Sequence, residues 1–257
     1  MKKIIFFLLF IFVIISFSTA QNTYSIGVKV LFERNWLTDK GFDKLNEVLS
    51  SNNIATIKNA HFTGGYGFTI GKKNKKLSFE LAFGGFTAKE LNRPINDVDI
   101  VKPSITGRYN KMLIIAKIYE LNRWRVRAGG GLSSNSLDFT LSDLRPQTNT
   151  LSSLVNNPSI SPSLTYETNL ITKLEALVES DYRTKLINDP KGELSIGLRV
   201  GYSYQVSRNS SNIHWFAKET QNEIKNFPLI IMDNLAVQLN VNLVFNLISP
   251  EKSKNEK

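Results

Sequence analysis

The sequence predicts an all-β chain: an antiparallel up-and-down transmembrane β-barrel of 8 or 10 strands, with long outer loops and short periplasmic turns. Three observations carry this. Near the C-terminus, Leu235, Val237, Leu239, Val241, Leu243, Phe245 and Leu247 alternate with small or polar residues. Alternate side chains of a strand point to opposite faces, so this segment has one apolar and one wet face. At ~3.3 Å per residue it extends about 40 Å, enough to cross a bilayer on a tilted path. The second observation is the start of the chain: Met1-Lys2-Lys3, an apolar run from Ile4 to Ile15, then small residues at Ser18 and Ala20. This is the pattern of a secretory signal peptide over residues 1–20, cleaved after Ala20, and the run is too short for a spanning helix. The third is that tight turns alternate with long polar connections, as in a barrel with unlike ends.

Nine segments have strand character. The first, Tyr24 to Glu33, sets Tyr24, Ile26, Val28, Val30 and Phe32 on one face. The second (57–71) opposes Phe62, Tyr66, Phe68 and Ile70 to Thr63, Gly65, Gly67 and Thr69. After the charged turn Lys72–Lys76, the third places Leu77, Phe79, Leu81 and Phe83 against Ser78, Glu80, Ala82 and Gly84. The fourth (105–119) is apolar on both faces from Met112 to Ile118, so its register is open. A turn at 120–123 leads to the fifth, where Trp124, Val126, Ala128 and Leu132 face Arg125, Arg127, Gly129, Gly131 and Ser133. The sixth (159–170) alternates clearly, and the seventh (174–185) is weaker. The eighth runs from Leu194 to Ser207, and the alternating C-terminal segment is the ninth.

Bacterial barrels of one chain have even strand numbers. Either the seventh segment is not a separate span, or a tenth strand lies within 208–233, near Ile213–Lys218. Short connections are expected at 72–76, 120–123 and 171–173, and long ones at 34–56, 89–104, 138–158 and 208–233. In the first long one, Phe42, Leu45, Val48 and Leu49 have helical spacing, consistent with a short amphipathic helix or an apolar-packed loop. Residues 21–249 read as one barrel domain and 250–257 as a disordered polar tail.

Alternation alone also fits a soluble lipocalin-like barrel with its apolar face inward. The polar faces decide against it: they carry glycines and serines suited to a crowded concave interior, while lysines gather in turns and loops. With the polar face inside, the lumen receives Lys29, Arg108, Arg125, Arg127, Arg183 and Arg199 against Glu33, Glu80, Glu167, Glu175, Glu179 and Asp181. Charges confined in this way must pair, and a barrel of about eight strands leaves no channel between them.

The signal ending Thr19-Ala20-Gln21, Gly-rich strands such as Ile196-Gly197-Leu198-Arg199-Val200-Gly201-Tyr202, and the alternating last strand give a further reading. The chain resembles the small bacterial outer-membrane β-barrel family, porin-like proteins of unassigned function. That resemblance implies the cell outer membrane as location, and outer-membrane lipids and the barrel-assembly machinery as partners. Such barrels often end on an aromatic residue; here Phe245 is followed by Asn246–Lys257.

Little in the sequence points to chemistry. There is no cysteine, which excludes disulfides, thiol ligands and lipoprotein processing. His61 and His214 are the only histidines and lack zinc-site spacing. Ser210 and Ser211 beside His214 are weak candidates for a rim hydrolase, and Gly64-Gly65-Tyr66-Gly67 lacks the Lys-Ser/Thr of a phosphate loop. The glutamates of the seventh segment fit an interior ion-pair lattice better than a calcium cluster. No catalytic residue, metal or cofactor is assigned. Without residues 1–20 the chain holds 30 basic and 22 acidic residues. For an exported protein this favours anionic lipid or surface polysaccharide over nucleic acid. The expected function is a non-enzymatic integral outer-membrane protein, structural or binding an unknown surface ligand or protein through its long loops. The alternatives are a barrel that binds or transports a small hydrophobic ligand and, less favoured, the soluble lipocalin-like binder.

Overall fold

The computed structural model describes residues 24–37, 41–52, 54–72, 76–88, 101–143, 163–186, 192–206, 208, 213–218, 220–224 and 227–247. The expected signal peptide (1–20), the polar tail and most of the loops 89–104 and 138–158 lie outside them. The elements in chain order are β1 (Tyr24–Leu37), α1 (Asp43–Ser51), β2 (Ala60–Lys72), β3 (Leu77–Ala88), β4 (Val101–Leu121) and β5 (Trp124–Asp143). There follow β6 (Ser163–Thr168), β7 (Ile171–Lys185), β8 (Gly192–Gln205), β9 (Trp215–Ala217), β10 (Glu223–Ile224) and β11 (Asn234–Leu247).

Eight strands close a wall in the order β1-β2-β3-β4-β5-β7-β8-β11, and β11 pairs back onto β1 from Tyr24↔Leu247 to Leu37↔Asn234. Every pairing is antiparallel. Both ends of this circuit lie at one rim with the connections 73–76, 122–123 and 186–191; the other rim carries the long connections. At the hairpin between β4 and β5, Asn122 takes φ 54°, the left-handed conformation that asparagine tolerates better than most residues.

The odd strand count resolves at β6 and β7. β5 pairs with β7 along 124–135 and with β6 along 138–142, and the register differs by one residue between the two stretches. The sixth and seventh segments are therefore one long strand interrupted by a bulge, and the connection expected at 171–173 does not reverse the chain. Thr168 Oγ1 accepts from the Leu137 N–H at 3.0 Å, and Asn169 exchanges two 3.1 Å hydrogen bonds with the His214 backbone, so the bulge's groups are satisfied. The weak seventh segment is a full wall strand. A strand does form near 213–218, but β9 pairs with β6 beyond the barrel and adds nothing to its circumference.

Along the wall the apolar set faces outward. On β8 and the residue after it, Ile196, Leu198, Val200, Tyr202, Tyr204 and Val206 are all exposed while Ser195, Arg199, Ser203 and Gln205 are buried. Ile196 to Val206 covers about 25 Å of height at a ~40° tilt, the height of a barrel's apolar band. Exposed aromatics mark its edges: Tyr119, Trp124 and Tyr182 toward the tight turns, and Trp36, Phe62, Tyr202 and Tyr204 toward the long loops. Tyr66 lies inside this band, and Tyr166 belongs to the extension above it.

Beyond the outer edge of the band the polarity of the inner face changes. Phe86, Ala88, Ile105, Leu137, Phe139 and Ile171 point inward and form a core with Phe42, Leu45 and Leu49 of the α1 region, Ile57, Ile213, Trp215, Ile230 and Met232. The mouth is thus closed by an apolar cap. Phe42, Leu45 and Leu49 share one helical face, as their spacing requires, while Val48 is exposed. Asn46 clamps the helix to the following segment, donating to the Ile57 carbonyl at 3.0 Å and accepting from its N–H at 2.8 Å. Trp215 stacks on Phe227 at 4.1 Å between ring centroids.

Candidate functional site

The lumen below the cap holds nearly all the buried charge of the described residues. Its central chain of ion pairs starts at Glu80 on β3, which accepts from Lys29 on β1 at 2.7 Å. Glu80 also receives both terminal nitrogens of Arg199, which reaches across from β8 at 2.8 Å to each oxygen. Arg199 continues to Glu179 on β7 through Nε at 3.0 Å and Nη2 at 2.6 Å. Glu179 takes Arg127 at 2.5 Å, Arg127 meets Asp181 at 3.0 Å, and Arg125 caps Asp181 at 3.0 Å. Strands on opposite sides of the wall are joined through this one chain. Lys29, Glu80, Glu179 and Asp181 have no solvent-accessible side-chain surface.

A second layer lies toward the cap. Lys111 on β4 sits 3.3 Å from Glu33 and 3.8 Å from Glu175. Gln238 donates to Glu33 at 2.8 Å and Ser133 to Glu175 at 2.5 Å. Above it is a layer of amides and hydroxyls: Asn35 donates to Thr63 at 2.7 Å, Asn234 donates to Asn35, and Lys173 donates to Asn234 at 3.0 Å. At the inner rim, Arg183 bridges Glu120 and Glu193, the latter at 3.4 Å. Between the first two layers a cavity of about 10 Å³ remains, lined by Glu33, Lys111, Glu175, Arg199 and Gln238, which is the lower limit for a single water.

Of the twelve charged residues expected in the lumen, Lys29, Glu33, Glu80, Arg125, Arg127, Glu175, Glu179, Asp181 and Arg199 meet there, and Arg183 closes its inner rim. Arg108 and Glu167 do not. Odd-numbered residues of β4 point inward, placing Tyr109, Lys111, Leu113 and Ile115 inside and Arg108 on the outer surface. Glu167 belongs to β6 above the barrel, where it accepts from Gln221 at 3.2 Å. Lys111 and Lys173 are lumen cations that the sequence reading does not single out; Lys111 stands in the strand that is apolar on both faces, and Lys173 falls in 171–173, where a connection is expected. Tyr109 fits because β2 and β3 carry glycine opposite it. A Cβ at Gly84 would lie 2.5 Å from its ring, and one at Gly65 would lie 2.4 Å from its hydroxyl.

The arrangement pairs the buried charges with one another across the lumen. A charge removed from water needs partners in good geometry, and here each carboxylate of the central chain has two or more. Six bases (Lys29, Lys111, Arg125, Arg127, Lys173 and Arg199) stand against five acids (Glu33, Glu80, Glu175, Glu179 and Asp181). Among the described residues no group of three His, Cys, Asp or Glu side chains is placed to hold a metal ion. His61 is buried against Phe86 with ring centroids 4.2 Å apart, and His214 pairs with Glu223 at 2.5 Å. Ser210 and Ser211 lie outside the described residues.

No family model and no curated protein matches the chain. Among solved structures it is similar to Neisserial surface protein A, at 9% identity and a TM-score of 0.40, covering 87% of this chain and 97% of that one. It is also similar to the outer membrane protein OprG from Pseudomonas aeruginosa, at 8% identity and a TM-score of 0.45, covering 90% and 99%. A major outer membrane protein from Thermus thermophilus matches at 12% identity and a TM-score of 0.44, covering 86% and 99%. At such values the likeness is one of general architecture. The strand register of the chain itself establishes a closed eight-stranded antiparallel barrel, and burial along its wall sets an apolar band outside and a polar lumen within.

Proposed function

We propose that the chain is an integral outer-membrane protein whose barrel is an anchor and whose work is done at the outer surface. It is exported by the signal peptide of residues 1–20, folds with outer-membrane lipids around its apolar band, and is inserted by the barrel-assembly machinery. The observation that carries the reading is the ion-pair chain from Lys29 to Arg125 across a lumen that the apolar cap also covers. Solute passage would require breaking several buried pairs together, each costing about 3–5 kcal/mol once one partner is left alone. This favours a non-conducting barrel over transport of a small ligand through the lumen. The capped outer end offers a surface for a ligand, polymer or protein.

The test is to reconstitute the purified full chain into planar bilayers and, separately, to wash membranes containing it with carbonate. The expected result is membrane retention, a gel mobility that changes on boiling, and no step conductance. Steady open channels would remove the anchor reading, and a washable protein without a mobility change would return the soluble binder.

A further inference from the structure

The outward position of Arg108 gives it company that the lumen does not. Around the bilayer-facing wall, Phe32, Gly64, Gly85 and Arg108 are successive partners across β1 to β4. One row nearer the outer rim, Arg34, Phe62, Thr87 and Thr106 are likewise in register. A groove of about 760 Å³ lies over these rows, edged by Arg34, Lys58 and Arg108. This is within the size range of small-molecule sites. The three cations have no ion-pair partner among the described residues. Asp138, the acid on the groove's far edge, is held 3.7 Å from Lys218. The Arg34 guanidinium carbon lies over the Phe62 ring, 4.3 Å from its centroid, a cation–π contact that consumes no N–H donor.

We infer that this groove holds one membrane lipid with an anionic phosphate headgroup. The inference rests on the reading that the barrel lies in a bilayer. Height and polarity specify the occupant. Arg34 sits between the apolar Phe32 and the girdle residue Trp36, at the level where hydrocarbon gives way to headgroups. Three cations with no ion-pair partner among the described residues edge this groove, and an anion seated in it is attracted by all three. Below them the wall offers Gly64 and Gly85, then the exposed ring of Tyr66 and the half-buried ring of Phe83, 5.8 Å apart. No atom lies within 4 Å of where a Gly64 Cβ would stand, so an acyl chain has an open path down the wall. The phosphate oxygens take the N–H groups of Arg34, Lys58 and Arg108, and the chain runs over the glycines.

The test is native mass spectrometry of the full chain in nonionic detergent, with dioleoyl phosphatidylglycerol, with dioleoylglycerol lacking the phosphate, and with millimolar inorganic phosphate as competitor. The phosphatidylglycerol complex should survive, dioleoylglycerol should be lost, and inorganic phosphate should not displace the lipid. Arg34→Gln, Lys58→Gln and Arg108→Gln should each weaken retention about fivefold, as loss of a half-exposed charged contact does. Thr106→Trp, which fills the groove from an exposed strand position, should weaken it too. Equal retention by the triple glutamine variant, equal retention of dioleoylglycerol, or full displacement by inorganic phosphate would each overturn the lipid site. Boiling-dependent gel mobility, run on every sample, separates the failures. A folded, carbonate-resistant protein that retains no lipid refutes the groove alone, whereas a washable protein refutes the bilayer reading beneath it.

Discussion

Arg199→Met should be among the most costly single substitutions in the barrel. Methionine keeps much of the volume but removes two bonds to Glu80 and two to Glu179. Glu80 then keeps only Lys29 at 2.7 Å, and Glu179 keeps Arg127 at 2.5 Å and Lys29 at 3.6 Å. Both carboxylates remain out of water and each loses two charge-assisted hydrogen bonds that methionine cannot replace, which costs about 3–5 kcal/mol. With a urea slope of ~2 kcal/mol/M, a loss of ~4 kcal/mol lowers the unfolding midpoint by about 2 M. The assay is urea unfolding of refolded protein in micelles, followed by gel mobility and by the emission of Trp36, Trp124 and Trp215. Removing both partners in Arg199→Met/Glu80→Met should cost less than the two single changes together, because each single change already loses the Arg199–Glu80 contact, although Lys29 is then left with Glu179 at 3.6 Å. A single Arg199→Met variant within 1 kcal/mol of the parent, or additive costs in the pair, would refute a lattice that stabilises the lumen through mutual neutralisation.

Gly84→Ala should destabilise the barrel by about 1–3 kcal/mol through its clash with the Tyr109 ring, and Gly84→Ala/Tyr109→Leu should recover part of that loss in the same urea titration. Trp215→Ala should cost about 3–5 kcal/mol in the cap and expose α1 to protease, while the boiling-dependent mobility of the barrel persists. Glu120→Gln, at the exposed inner rim, should change stability by less than about 1 kcal/mol, with the difference shrinking in high salt. Because the chain has no cysteine, single-cysteine variants report orientation directly. Asn240→Cys should resist a membrane-impermeant maleimide until unfolding, and Val237→Cys carrying a fluorophore should be quenched by brominated lipid acyl chains.

Alternation makes most of the wall readable from residues alone, because an eight-stranded barrel imposes opposite solvents on its two faces over long distances. The same rule fails where the solvent contrast disappears. β4 carries Leu113 and Ile115 inward opposite Leu177 and carries Met112 and Ile114 outward, so both faces are apolar and local pattern assigns Arg108 to the wrong one. Lys111 escapes notice for the same reason. At the outer end the contrast is reversed, since Phe86, Leu137, Phe139 and Ile171 face a cap rather than a lumen. Periodicity there reports burial without saying what is buried against. The bulge between β6 and β7 changes the alternation by one residue, which in a single sequence looks the same as a turn. The ion pairs themselves join residues as far apart as Glu80 and Arg199. Their faces are evident from local pattern, but their partners depend on barrel closure.

The hairpin of β4 and β5 does not stop at the edge of the apolar band; its ladder runs unbroken into the cap, where β6 and β9 extend it sideways. A load applied at the cell surface therefore enters the membrane along the strands, as shear spread over a long row of backbone hydrogen bonds. A flexible stalk would instead let the surface portion swing before any tension reached the wall. On the anchoring role proposed above, cap and wall would move as one body, and a ligand bound at the outer end would be held at a fixed height and orientation above the lipid.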